Sequence, residues 1–192
     1  MRKLSDVMLS RVRIVASSPR LVPLISRVLL ELGLKDVEVH THGKGIEVGD
    51  WFREVINPEL VLAVKIAEEV VSEDDVRIGV DLGDKRTGIA VVIGDIVVYE
   101  STVATRYVAK TITDLLRVTR RRVLVRVGIT PSNREAVLKL VNELKKAGRS
   151  KLRIEVVKED EPVRLRLVYL LAGSEHARSA LALLLTRKAQ PI

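Results

Sequence analysis

Three β-like runs follow one another with no helix between them: VRIGVDLG (76–83), TGIAVVIG (87–94) and DIVVYEST (95–102). Gly83 and Gly94 fall where the chain has to reverse. Helices and strands then alternate. ATRYVAKTITDLLRVTR (104–120) reads as a helix, RRVLVRVGI (121–129) as a strand and SNREAVLKLVNELKKAG (132–148) as a helix. KLRIEVVKE (151–159) is a fifth strand, and PVRLRLVYLLAG (162–173) and SEHARSALALLLTRK (174–188) are helical. Ser132, with Glu135 three residues on, has the pattern of a capping box, and Gly148 marks that helix's end. Strands joined by tight turns pair antiparallel, whereas strands joined through a helix cross over and pair parallel. The order β-β-β-α-β-α-β-α therefore predicts one mixed five-stranded α/β sheet in residues 75–192. Asp81 would end a central strand.

The first 74 residues have a different rhythm. RVRIVASS (11–18) and VEVHTH (37–42) read as strands, with a further short strand at 45–48. PRLVPLISRVLLELG (19–33) reads as a helix whose regular part starts at Pro23, and PELVLAVKIAEEVVSE (58–73) as a second helix opened by Asn57-Pro58. A small α/β N-terminal domain over 1–74 is expected, bounded by the acidic run SEDD (72–75). Its role is open.

The 192 residues are 47% hydrophobic and 30% charged, enough for a buried core under a well-solvated surface. No apolar run reaches the roughly 20 residues needed to span a bilayer. The N-terminus carries charges within its apolar stretch and makes a poor signal peptide, so a cytoplasmic location is expected. The absence of cysteine excludes disulfides, thiolate chemistry and cysteine-ligated zinc. Three Asn, one Gln and dense charge resemble a heat-adapted, thermophile composition. The net charge of +8 favours a polyanionic partner. Lys85 and Arg86 sit in the first hairpin, and Arg117, Arg120, Arg121 and Arg122 cluster at a helix-to-strand junction. Lys145, Lys146, Arg149, Lys151 and Arg153 form a second cluster. Phosphate contacts from such groups give affinity without sequence readout. Each cluster also reads as a solvated helix end, where cations suit the helix dipole. Aromatic residues are only 3%, so a stacking platform for single strands is not expected, and duplex or branched DNA fits better. His40 and His42 share a strand face but lack a third zinc ligand, and read as structural.

The segment GVDLGDKRTGIAVV, with Asp81, Gly83, Gly88 and the small Ala90, resembles the opening hairpin of the RuvC-type Holliday-junction resolvases and of the YqgF family, both RNase H-like. SEHARSALALLL resembles their acidic last helix. The resemblance covers residues 75–192. It implies an RNase H-like mixed sheet and phosphodiester hydrolysis with two divalent metals, Mg²⁺ or Mn²⁺, about 4 Å apart. Asp81 matches the first-strand ligand. The resolvases carry a Glu at the end of the fourth strand, where this chain has Val127, Gly128 and Ile129. The YqgF family places an acid after the fifth strand instead, and Glu159 stands there, followed by Asp160 and Glu161. In the last helix, His176 and Ser179 occupy the two positions that are acidic in the resolvase pattern. Asp81, Glu159 and His176 are thus the implied metal set, with Ser179 beside them. A strand-end Asp can also cap a turn, an acidic run before Pro162 can be a solvated loop, and His176 can be a helix-surface residue.

Two functional classes follow. One is a metal-dependent, structure-selective nuclease resembling Holliday-junction resolvases. The other is a non-catalytic nucleic-acid-binding protein on the same fold, its metal site eroded at positions 128 and 179. Actin- and sugar-kinase-type ATP-binding proteins also open with an Asp-x-Gly hairpin, but they need two such domains, and one hairpin is present. Oligomeric state is left open, a homodimer included. If Asp81 lies more than about 8 Å from both Glu159 and His176, no ion with ligands at roughly 2 Å joins them.

Overall fold

The structure, a computed structural model, describes residues 1–7, 9, 12–71, 74–158, 173–186 and 190–191. The three consecutive runs form β5 (Val76–Leu82), β6 (Arg86–Ile93) and β7 (Ile96–Ala104), an antiparallel meander. Helix α3 (Val108–Val118) leads to β8 (Val123–Ile129), and α4 (Arg134–Gly148) to β9 (Leu152–Lys158). Strand β8 lies parallel to β5, and β9 parallel to β8, as crossovers through helices require. The last described helix is α5 (Glu175–Leu185). The expected five strands are present in the order β7-β6-β5-β8-β9, with β5 in the middle.

Two further strands extend that sheet to seven. β1 (Arg2–Lys3) pairs parallel with β7, and β10 (Gln190–Pro191) pairs antiparallel with β9. Unpaired N–H and C=O groups on an edge strand attract any available partner. Here the two ends of the chain take part of both edges, which no local periodicity in two residues could announce.

The N-terminal segment forms a second, three-stranded sheet. β2 (Arg13–Ala16) lies between β3 (Glu38–His40) and β4 (Ile46–Val48), parallel to both. Pro19–Leu21 is a 3-10 turn leading into α1 (Val22–Glu31), and Pro58 opens α2 (Pro58–Val70) with Asn57 accepting the Leu60 N–H at 2.9 Å. One continuous apolar core runs from Leu4 through Phe52, Leu62 and Ile78 to Ile154. Among the described residues no helix is long and apolar enough to cross a membrane.

Strand alternation sorts the large sheet into two unlike faces. Ile78, Val80, Ile89, Val91, Val125 and Val127 belong to the main core. Their neighbours Gly79, Asp81, Gly88 and Ala90 face α5, whose Ala177, Ala180, Leu181 and Leu184 pack on Ala90, Val92 and Val97. The helix rests almost on backbone. A Cβ on Gly79 would lie 1.9 Å from the Ala180 carbonyl oxygen, and one on Gly88 2.0 Å from that of His176. Only hydrogen fits at either place.

The cap of α4 differs from expectation by one residue. Asn133 precedes the helix, and its carbonyl accepts the Val137 N–H at 3.0 Å. Ser132 instead reaches the Thr130 hydroxyl at 3.0 Å. The longer Asn side chain wins because it also accepts the Thr130 N–H and donates to Leu82 O at 3.2 Å.

Gly79→Ala is expected to destabilise the protein by about 3 kcal/mol, because the obstructing atom is helix backbone that has to move bodily. Leu30→Ala, at a side chain 65% exposed, should change stability by less than about 0.5 kcal/mol. Urea denaturation of the two variants checks the contrast.

Candidate functional site

Asp81 lies on the α5 face of β5, one residue before the strand ends. The first turn of α5 lies above it. Ser174 caps that helix by accepting the Ala177 N–H at 3.1 Å, and its hydroxyl meets the Thr102 hydroxyl of β7 at 2.9 Å. The N–H of Gly173 donates to Glu100 Oε1, also on β7, at 3.1 Å. With the helix start tied to β7 and seated on Gly88, the imidazole of His176 reaches Asp81. Nδ1 lies 3.0 Å from Oδ2, donating to a carboxylate that accepts. Asp81 is 17% exposed and His176 47%, so the pair opens to solvent on the His side.

The far end of α5 is anchored as well. Arg126 of β8 donates to the carbonyls of Leu184 at 3.0 Å and Thr186 at 2.8 Å. Its Nε donates to Glu155, its register partner on β9, at 2.9 Å. Glu155 is buried and also takes Arg153 at 2.7 Å. A guanidinium placed on exposed C-terminal carbonyls satisfies them and suits the negative end of the helix.

Of the four expected site residues, the structure brings two together. Asp81 and His176 are in contact. Ser179 is one turn further along α5, half-buried, and its side chain makes no hydrogen bond among the described residues. Glu159, with Asp160 and Glu161, lies outside the described residues, as does the helix expected over 162–172. At the end of β8, where the resolvase pattern has an acid, Asn133 spans the gap instead, donating to Leu82 O and to Gly128 O at 3.4 Å.

Mg²⁺ asks for near-octahedral oxygen ligands. The described residues offer one carboxylate and one imidazole, and among them no three His, Asp or Glu side chains come close enough to hold an ion. This donor set does not fit a two-metal centre.

The basic residues fall at both ends of the large sheet. Lys85 and Arg86, exposed in the β5–β6 hairpin, stand beside Asp81. Thr105 ties the next turn to this hairpin, its N–H donating to Lys85 O at 3.0 Å and its hydroxyl to Gly83 O at 2.8 Å. Arg106, the next residue, stacks on Tyr107 at 4.8 Å. Arg120, Arg121 and Arg122 lie at the other end, where Val123 of β8 pairs with Val76 of β5. Arg121 donates to Asp74 O at 2.8 Å and Glu68 O at 2.9 Å, and also to Val71 O, so it closes the C-terminus of α2. Arg117 leans towards Asp114 at 3.7 Å, while Arg120 and Arg122 are exposed. His40 pairs with Glu38 at 3.0 Å and His42 with Thr41 at 3.3 Å.

Sequence reasoning missed Arg126, Glu155, Asn133, Glu100 and Arg106. A charge inside the apolar runs of β8 and β9 was a visible signal for the first two. The others depend on which loops meet in three dimensions.

No protein-family model matches the chain, and no curated protein matches it. Among solved structures, the chain is similar to a Thermus thermophilus RuvC structure at 15% identity and a TM-score of 0.47, over 61% of this chain and 99% of that one. It is similar to T. thermophilus RuvC in complex with a Holliday junction substrate at 15% identity and a TM-score of 0.45, over 62% and 99% of the two chains.

Burial is the first cause that raises the Glu100 carboxyl above its ordinary value of 4.5, against the pull of Lys3 and of the Gly173 N–H. Its Oε2 is buried without a hydrogen-bond partner. The folded chain thus holds this proton more tightly than the unfolded one. The resulting stability is complete below 4.5 and is lost as pH rises through the higher folded value. Glu100→Gln cannot titrate. Its stability relative to wild type should therefore rise between about pH 4 and pH 7, as read by urea denaturation across that range. A pH-independent difference would show that the carboxyl is not desolvated.

Proposed function

We propose that the chain is a nucleic-acid-binding protein of RNase H-like architecture that takes duplex or branched DNA. The sheet order and the hairpin motif support the architecture. The observation that carries the function is the basic hairpin of Lys85 and Arg86 next to the Asp81–His176 pair, on a chain of net charge +8. In the same reading, residues 1–74 form a small α/β domain and 75–192 the RNase H-like one. Arg122, exposed at the other end of the sheet, supplies a second, distal phosphate contact. Strand β5 spans seven residues, roughly 20 Å at about 3.3 Å per residue, so a duplex crossing both ends would cover about a helical half-turn.

The pair itself has a defined chemical character. An imidazole held by a carboxylate is fixed in tautomer and orientation, and its outer nitrogen, Nε2, is left for a ligand. In the neutral ring that Nε2 is an acceptor for a hydroxyl or amino donor, and only the doubly protonated ring donates from Nε2 to a phosphate oxygen, with Asp81 keeping it aligned.

A metal-dependent nuclease is the second reading. The specific observation in its favour is the same 3.0 Å contact, because it brings together two members of the implied metal set. Glu159 would be the third.

Gel-shift titration over a salt series tests the binding reading. Binding should weaken steeply with salt, since each neutralised phosphate releases counterions. Replacing Lys85 and Arg86 together by Ala should reduce the slope of log K against log salt by about 2. Absence of binding at low salt removes the proposal. A cleavage assay on a four-way junction with Mn²⁺, which accepts imidazole more readily than Mg²⁺, separates the two readings. The binding reading expects no cleavage. The nuclease reading expects cleavage that Asp81→Asn abolishes and Ser179→Asp strengthens.

A further inference from the structure

A cavity of about 970 Å³ opens away from the Asp81 edge, at the carboxyl ends of β2 and β4, roofed by α2 and α3. Strand β2 is followed by β3 on one side, and the chain then crosses to place β4 on the other. The gap between β2 and β4 is thus the point at which strand order reverses in a small parallel sheet. In open parallel sheets, the crevice beyond the carboxyl ends at such a point is where ligands bind, because the connections diverge there and leave a hollow.

The lining has three chemical parts. Trp51, half-buried, supplies a flat aromatic wall, and Lys65 stands 5.9 Å from its ring centre. Arg117 and Arg120 supply cations. Arg117 has only a 3.7 Å approach to Asp114, and Arg120 has no side-chain partner among the described residues. Asp114 does not cancel them. It is 3% exposed and already holds Lys110 through both oxygens at 2.8 Å and the Ile56 N–H at 3.1 Å. Glu47, Glu54 and Glu69, exposed and without side-chain partners among the described residues, supply acceptors, while Glu68 takes the Thr119 hydroxyl. A ligand that uses all three parts has an aromatic ring, a phosphate and several hydroxyl or amino donors.

We propose that this cavity is a mononucleotide site, with the base against Trp51, the phosphate towards Arg117 and Arg120, and sugar or base donors towards Glu47 and Glu69. This is independent of the reading of the Asp81 edge, which lies at the opposite end of β5 and β8. Base-to-indole stacking and charge-assisted bonds from guanidinium to phosphate are the two contacts that carry such recognition.

Trp51 is the chain's only tryptophan, so its fluorescence reports on this cavity alone. The full-length protein is titrated with ADP, adenosine, inorganic phosphate and a DNA duplex. Saturable quenching by ADP is expected, about tenfold tighter than by adenosine, the difference being the phosphate contact. Arg120→Ala, at an exposed side chain whose loss leaves the fold intact, should weaken ADP about tenfold, and Lys65→Gln should weaken it too. No saturable quenching by ADP up to about 1 mM, the weak end of specific affinity, overturns the proposal. So does quenching that neither variant alters, or adenosine binding as tightly as ADP. Quenching by the duplex with none by ADP also overturns it, and makes the cavity part of a nucleic-acid surface.

Discussion

The contact on which the rest of the large domain depends is that between α5 and the bare backbone of β5 and β6. A helix normally stands about 10 Å from a sheet it covers, separated by two layers of side chains. Here Gly79 and Gly88 remove one layer, and the carbonyls of Ala180 and His176 descend into the gap. Apolar burial under α5 is modest, a strip of alanines, valines and leucines. Its position is fixed instead at the two ends. Ser174, Thr102 and Glu100 hold the start, and Arg126 with Glu155 holds the finish. Both anchors are polar and both stand on neighbouring strands. The 3.0 Å contact between His176 and Asp81 is a consequence of this seating. A helix one side-chain layer higher would leave the two groups on different surfaces.

This explains which parts of the structure were legible in the sequence. The element order fixed the pairing directions of β5 to β9, because tight turns and helical crossovers leave little choice. The position of Asp81 followed from alternation along β5, which puts it opposite Ile78 and Val80. Small residues at 79, 88 and 90 were visible, and the sheet shows why they are small. What could not be read was anything that depends on register between distant strands. Arg126 and Glu155 are 29 residues apart and become partners only because β8 and β9 align residue for residue. Asn133 looked like an ordinary loop residue next to a better-known cap, Ser132. Its advantage is three further hydrogen bonds to strand ends that a linear reading does not place near it.

The charge count shows the same limit. A net +8 says that cations are in excess, not that they are available. Arg121 is committed to three backbone carbonyls at the end of α2, and Arg126 to those at the end of α5. Arg153 faces Glu155, and Lys110 faces Asp114. Among the cations that remain, Lys85 and Arg86 stand at one end of the sheet, and Arg120 and Arg122 at the other.

Asp114 is a buried carboxylate on α3, and burying a charge is unfavourable unless it is fully partnered. Its partners come from both parts of the chain: Lys110 on its own helix and the Ile56 N–H from the segment before α2. Asn57, the next residue, donates to the Tyr99 hydroxyl on β7 at 2.8 Å. The N-terminal α/β elements thus also meet the large sheet through two adjacent polar residues. An uncharged residue at 114 would release the Ile56 N–H and Lys110 together. The N-terminal elements are therefore joined to the large sheet by a shared apolar core and, at its edge, by one buried carboxylate that Lys110 and the Ile56 N–H share.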